Sequence, residues 1–567
     1  MSAESRVQNA ELSVRFLLLV TLHSALCTLH SPAAFAGSTV TAKSAALSTA
    51  HPTATQVGLA TLRNGGNAAD AAVSVAFALA VVHPQAGNLG GGGFLTYYDA
   101  QSKAVWTLDF SPVSPIATKR DAFATDAEAA RTGALAVAVP GTVAGMDALH
   151  RRFGSRPWKE LLDPAIRLAR EGIRSDAELT SDLQTARAER KIDKFPSTAA
   201  IFFGDAKPVL VQTDLAATLQ RLAEAGAKDF YDGELAKKLV EALKVNGGTI
   251  GYRDLRDYEA IWRAPIKLRF GDYDLYTVAP PSGGGIVIGE TLNILSGFDL
   301  ATAGFQTPRA LHLMIEAERR AYVDRNRFVG DPASVRIPYR DLLSADRAAQ
   351  WRKSIDLDRV TVTSLLPEPG SPKLEGEHTT HFTIADAAGN IAAVTVTLGE
   401  NFGSGLVIPG LGFFANDAMA DFSINDGQPN REGLVQSKIN QIEPSKRIAS
   451  SLSPTIVLKN NRPFLALGTR GGATIPTTIL QVFLNIVVYG KSLQDAVAAP
   501  RWHHQALPEE LDYERERGAQ ATVDALNRMG HGVRARESIG DVHAILFRNG
   551  SLVAVADPRR GGAAGGY

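Results

Sequence analysis

Thr379-Thr380-His381-Phe382-Thr383-Ile384-Ala385 alternates polar and apolar side chains, then turns at Ala388-Gly389-Asn390 into a second run, Ile391 to Leu398. Period-two alternation on both sides of a glycine turn predicts a β-hairpin whose first strand opens at Thr379. A threonine there can become a new N-terminus if the bond before it is cut. Its hydroxyl is then the nucleophile and its own α-amine the base. The amine suits that task, with a reference pKa of about 7.7–8.0. Immediately upstream, Asp358 to Glu377 is rich in Pro, Ser, Gly and charge, with no periodicity. That is the composition of an exposed linker, and it leads to the candidate cleavage point between His378 and Thr379.

Outward from the hairpin, the chain mixes helical and strand patterns. Ala68 to Val82 is apolar throughout and reads as a buried helix, entered through Asn64-Gly65-Gly66-Asn67. Asn67 can cap it by accepting backbone N–H bonds. Gly90-Gly91-Gly92-Gly93 precedes the strand Phe94 to Tyr98. It lacks Gly-Lys-Ser/Thr and does not open a helix, so it is a close-approach segment and not a phosphate loop. Residues from about Gly141 to Leu313 read as mainly helical, with Trp158 to Glu171 and Leu215 to Ala225 as examples. Pro280-Pro281-Ser282-Gly283-Gly284-Gly285 forms a loop ahead of another helix. Beyond the hairpin, helices at Thr477–Val488, Ser492–Ala498 and Ala519–Met529 alternate with strands. Ala544–Phe547 and Leu552–Ala556 flank the hairpin turn Arg548-Asn549-Gly550.

The 567 residues carry 59 basic and 59 acidic side chains, so the formal net charge is zero. That argues against a nucleic-acid binder, which needs a basic surplus. Arg6 and Arg15, the apolar stretch from Phe16 to about Leu26, and Ala34-Phe35-Ala36 together read as a signal peptide over 1–36, cleaved before Gly37. The stretch is too short for a spanning helix, which needs about 20 residues. A periplasmic or secreted protein is expected, with no membrane attachment after signal removal. Cys27, the single cysteine, falls inside the signal, so the mature chain has neither disulfide nor thiol chemistry. His503-His504, His378 and His381 show no standard metal-ligand spacing, and no metal and no cofactor are expected.

Several long stretches occur in a specific order: His83-Pro84-Gln85-Ala86-Gly87-Asn88-Leu89 with Gly90 to Phe94, Pro140-Gly141-Thr142-Val143-Ala144-Gly145, Thr379-Thr380-His381, Ser450-Ser451-Leu452-Ser453-Pro454-Thr455, Gly471-Gly472, and Ala499-Pro500-Arg501-Trp502-His503-His504-Gln505. With them the chain resembles the γ-glutamyltransferase (glutathione hydrolase) proenzymes of the N-terminal-nucleophile hydrolase superfamily, over nearly the whole mature length. The resemblance implies an α+β fold, a four-layer αββα sandwich formed jointly by two chains after self-cleavage: a large subunit 37–378 and a small catalytic subunit 379–567. It implies that Thr379 forms an acyl-enzyme with a γ-glutamyl group, from a donor such as glutathione. Water or the amine of an amino acid or peptide then resolves it. By the same resemblance Gly471 and Gly472 supply the oxyanion hole and Thr397 hydrogen-bonds the nucleophile. Ser450 and Ser451 hold the substrate α-carboxylate, and Asp421 pairs with its α-ammonium. The stretch from Asp421 to Ser450 corresponds to a lid that shields the acyl-enzyme from water. Relatives often carry an aromatic residue there where this chain has Glu432.

Three departures bear on substrate. Ser111 stands where relatives carry a carboxylate-clamping arginine, Gly399 where they carry asparagine, and Ala418 where they carry glutamine or glutamate. Arg470 beside Gly471 and Glu400 beside Gly399 are candidates to supply the opposite charges from new positions. The alternatives are a related amide acylase with a non-glutamyl acyl group, such as a β-lactam side chain, or a non-catalytic exported binding relative.

Overall fold

The computed structural model describes residues 38–204, 209–366, 379–425 and 427–567. The signal peptide and His378 lie outside the described residues, as does most of the linker before Thr379. Two seven-stranded sheets form the middle of the molecule. One runs, in spatial order, Thr39–Ala42, Ser551–Ala556, Asp541–Arg548, Arg462–Arg470, Thr455–Lys459, Tyr273–Thr277 and Ile266–Phe270. The other runs Ala563–Gly566, Ala46–Thr49, Thr380–Ala385, Ile391–Thr397, Gly92–Asp99, Ala104–Phe110 and Ile261–Arg263. Pairing within both is antiparallel. A smaller three-stranded sheet comprises Trp502–His503, Glu510–Glu514 and Gly532–Arg536.

Small side chains hold the two large sheets face to face. Ala42, Ala46, Ala385, Ala393, Ala466 and Ala554 are buried between them. Helices cover the outer faces. Ala68–Val82 is buried at all fifteen positions and packs with its neighbours over the second sheet. Its cap is as expected: the Asn67 side chain accepts from the N–H groups of Ala69 and Asp70. Gly284–Leu295, Pro308–Phe328 and Thr474–Val487 cover the first sheet. The result is the expected four-layer helix–sheet–sheet–helix arrangement. No helix among the described residues is long and apolar enough to cross a membrane.

The region 141–313 is mainly helical, as expected, with three short strands among its helices, Ile261–Arg263, Ile266–Phe270 and Tyr273–Thr277. The last pairs with Thr455–Lys459, almost two hundred residues away, so tertiary pairing and not local propensity makes it a strand. One expectation needs correction: the first part of the linker is packed down. The Val360 N–H donates to Met529 O at 2.9 Å, and Thr363 is buried against Glu509 and Ala506.

Burial also fixes how the fold answers to acid. Removal from water holds the His503 imidazole down at about 3 and the His531 imidazole at about 4, with like charges nearby adding to the His531 effect. Both are neutral in the fold and free to protonate in the unfolded chain, with a reference pKa of about 6.5. The unfolded state therefore binds the extra protons. Stability is complete above about pH 6.5 and falls below it, by about 1.4 kcal/mol per pH unit for each histidine. Calorimetry at pH 7 and pH 5 should show a lower Tm at pH 5, and His531→Gln should flatten that dependence. An unchanged Tm would contradict the account.

Candidate active site

The hairpin places the nucleophile. Thr380 pairs with Val396 across the two strands, which leaves Thr379 opposite Thr397 at the strand end. Thr379 Oγ1 donates to Thr397 Oγ1 at 3.4 Å. Thr397 Oγ1 in turn accepts from the Gly399 N–H at 2.9 Å, which fixes its rotamer. The glycine run packs alongside. A Cβ on Gly91 or Gly93 would collide with the carbonyl oxygens of Thr397 or Thr395, so these backbones meet only because both are glycine. His381 packs between the sheets and bonds to Thr395 Oγ1 at 2.8 Å and Thr383 Oγ1 at 2.9 Å, against a bare Gly468. Burial, and then His543, hold its pKa well below the ordinary value, so it is a neutral wedge and not the base.

Gly471 and Gly472 follow the strand Arg462–Arg470 and lead into the helix Thr474–Val487. Both have positive φ, 132° and 53°. That conformation is cheap for glycine alone and turns the backbone at the positive end of the helix dipole. Thr379, Thr397 and Gly472 line one small pocket with Ser111, Ser450 and Asp421. Ser450 is held by backbone pairing, its N–H donating to Pro281 O at 3.0 Å and its carbonyl accepting from the Gly283 N–H at 2.8 Å. The Pro-Pro-Ser-Gly-Gly-Gly loop thus positions the serine pair. Thr379, Gly472, Ser450 and Asp421 come from four separate chain segments and converge here.

The two proposed replacement charges do not reach this pocket. Glu400 is buried, ion-paired with Arg131 and with Arg190 at 3.1 Å, and is not among the lining residues. Arg470 pairs with Glu178 at 3.5 Å, and it is likewise absent from the lining. Their ion-pair partners, Arg131 and Arg190 for Glu400 and Glu178 for Arg470, hold both side chains away from the cleft. Breaking a buried pair of this kind costs about 3–5 kcal/mol. Glu400→Ala is therefore expected to lower unfolding stability by that amount in urea titration while leaving the KM for a donor amide unchanged. A raised KM at full stability would restore Glu400 as an anchor.

Three charged residues emerge that sequence reasoning did not single out for these roles. Arg447 lies behind Ser111: its Nη1 donates to Ser111 O at 2.9 Å and pairs with Asp109 at 3.3 Å. Arg431 reaches from the lid into the pocket wall. Its Nη2 donates to Asp421 Oδ1 and its Nη1 to Asp417 Oδ1 at 2.7 Å. Burial pushes the Asp421 carboxyl upward against the pull of Arg431, with Glu432 and Asp417 adding to the rise. Glu432, next along, accepts from Ser451 Oγ at 2.8 Å.

His503 and His504 serve structure. His503 bonds Thr477 Oγ1 at 2.8 Å and Gln505 Oε1 at 2.9 Å. Among the described residues, His312, Glu316 and His531 lie close enough to share an ion. Their groups are already engaged: His312 Nδ1 meets His531 Nε2 at 2.8 Å, and Arg320 holds Glu316 at 2.7 Å.

Comparison with known proteins agrees with this geometry. The family model described as gamma-glutamyltranspeptidase matches residues 54–567. A glutathione hydrolase proenzyme of Escherichia coli (strain K12) is 38% identical over 531 residues, 92% of this chain and 91% of that protein. Another from Pseudomonas sp. (strain A14) is 39% identical over 547 residues, covering 94% of each. Among solved structures, a cephalosporin acylase from Bacillus halodurans superposes with a TM-score of 0.83 at 28% identity, over 94% of this chain and 97% of that one.

Proposed function

The chain belongs to the gamma-glutamyltranspeptidase family of enzymes, and on that premise we propose that it is a self-cleaving threonine amidohydrolase and acyltransferase. In the precursor, the Thr379 hydroxyl attacks the carbonyl carbon of His378. The peptide bond shifts to an ester, and water hydrolyses it into chains 37–378 and 379–567. The freed α-amine of Thr379 then takes the hydroxyl proton as the oxygen attacks a substrate amide. The tetrahedral oxyanion accepts hydrogen bonds from the Gly471 and Gly472 N–H groups, and the amine proton is passed to the leaving nitrogen. Water, or an amino acid or peptide amine, releases the acyl group. The observation that carries this reading is that Thr379, Thr397 and Gly472 line one pocket. The signal-peptide pattern at 1–36 supports export to the periplasm or beyond.

A γ-glutamyl donor such as glutathione is the reading that the hydrolase relatives favour. The second reading is an acylase with another acyl group. It is favoured by the Arg431–Asp421 pair, which occupies the carboxylate that a substrate ammonium would need, and by the likeness to a cephalosporin acylase. Kinetics on γ-glutamyl-p-nitroanilide separate the two. Turnover by the cleaved protein supports the first reading. No turnover by a fully cleaved protein removes the γ-glutamyl donor and leaves the acylase.

A further inference from the structure

Two consecutive lid residues, Arg431 and Glu432, line the pocket with opposite charges, one paired with Asp421 and the other bonded to Ser451, the residues that the resemblance assigns to the two charges of an α-amino-acid head group. We propose that Arg431-Glu432 is a built-in occupant of the head-group subsite, so that this enzyme selects amides of short uncharged acyl groups and discriminates against γ-glutamyl donors. The inference rests on the acyl-transfer reading of Thr379 and specifies its substrate.

The cation half is built in. Arg431 is 8% exposed and bridges two buried carboxylates, Asp417 and Asp421. Gly399 makes the room: a Cβ there would collide with both Arg431 Nη1 and Asp417 Oδ1. The missing side chain at 399 and the arginine at 431 are thus one packing solution. A substrate ammonium would have to displace a guanidinium that bridges both carboxylates, of which Asp417 also has Arg190 at 4.0 Å.

The anion half is the Glu432 carboxylate on Ser451. A substrate carboxylate seeking that hydroxyl would meet a like charge. The lid backbone does not yield easily. The Arg431 N–H donates to Ala420 O at 3.1 Å, Asn430 Nδ2 to Asp421 O at 3.0 Å, and Gln505 Nε2 to Glu432 O at 3.1 Å. The rest of the wall beside Thr379 mixes Phe94, Pro112, Ile448 and Leu452 with the uncharged polar side chains of Ser111, Thr397 and Ser450. An uncharged acyl chain fits that lining without unpaired charges.

The test compares butyryl-p-nitroanilide with γ-glutamyl-p-nitroanilide on the full self-cleaved protein. Wild type should favour the butyryl amide by about tenfold or more in kcat/KM. Glu432→Ala, and the charge-balanced double variant Asp417→Asn/Arg431→Ala, should each raise kcat/KM for the γ-glutamyl amide about tenfold, mainly through a lower KM. The single variant lies on a half-exposed lid position and keeps the test alive if the double variant misfolds. The inference is overturned if wild type handles the γ-glutamyl amide at least as well as the butyryl amide, or if the ratio is unmoved in every variant that self-cleaves. A cleaved wild type that hydrolyses neither amide overturns the acyl-transfer reading itself, and this inference with it.

Discussion

Thr379→Ala is expected to leave one uncut chain and to reduce amide hydrolysis by at least about 10⁴-fold, because nucleophile and base are lost together. In most hydrolases these are two residues, and one substitution leaves the other in place. Here a single threonine supplies the hydroxyl, and cleavage at its own N-terminal bond supplies the amine. Alanine removes the hydroxyl, so the bond before it is not cut and the amine is never freed. The fold should tolerate the change, because among the described residues the Oγ1 makes one long hydrogen bond, 3.4 Å to Thr397. Intact mass gives the first readout and p-nitroaniline release the second. Thr379→Ser keeps both groups and should restore cleavage. Full activity in an uncut alanine variant would show that the chemistry lies elsewhere.

Gly471→Ala is expected to lower kcat for a donor amide by about 10²–10³-fold with little change in KM, the loss typical of one oxyanion donor. The physical cause is backbone and not side chain. At φ 132° an L-residue is strained, and a Cβ would collide with Thr474 Oγ1 at the start of the following helix. Thr474 also bonds Gly471 O through its N–H and its hydroxyl, each at 2.9 Å. Relief of the clash therefore rotates the peptide that aims the N–H. Burst-phase or single-turnover kinetics would place the loss in the acylation step. A kcat within about threefold of wild type would show that this N–H does not face the oxyanion.

Much of this site was legible because its signals are local. The alternation from Thr379 to Ala385 and the turn at Gly389 specify a hairpin, and the register then brings Thr397 to Thr379. The glycine pair after a strand marks a backbone turn before any partner is known. The fully apolar run Ala68 to Val82 marks a buried helix in the same way. What was not legible depends on distant partners. Arg470 and Glu400 sit beside the right glycines in the chain, yet Glu178, Arg131 and Arg190 draw them away from the cleft. Arg431 lies in an irregular lid with no period to betray its facing, and only the fold shows that Gly399 is the cavity for its guanidinium. The alternation Ile266-Lys267-Leu268-Arg269-Phe270 is a local strand signal of period two inside a mainly helical region. The departures Ser111, Gly399 and Ala418 marked the right part of the pocket, while the compensation came from a residue none of them adjoins in sequence.

Thr379 has to become an N-terminus for this chemistry, and intact mass with N-terminal sequencing of the purified wild-type protein tests that most directly. The expected result is two chains that travel together, the smaller beginning Thr-Thr-His-Phe. A single uncut chain that still hydrolyses its amide, or a small chain beginning at any other residue, would contradict it.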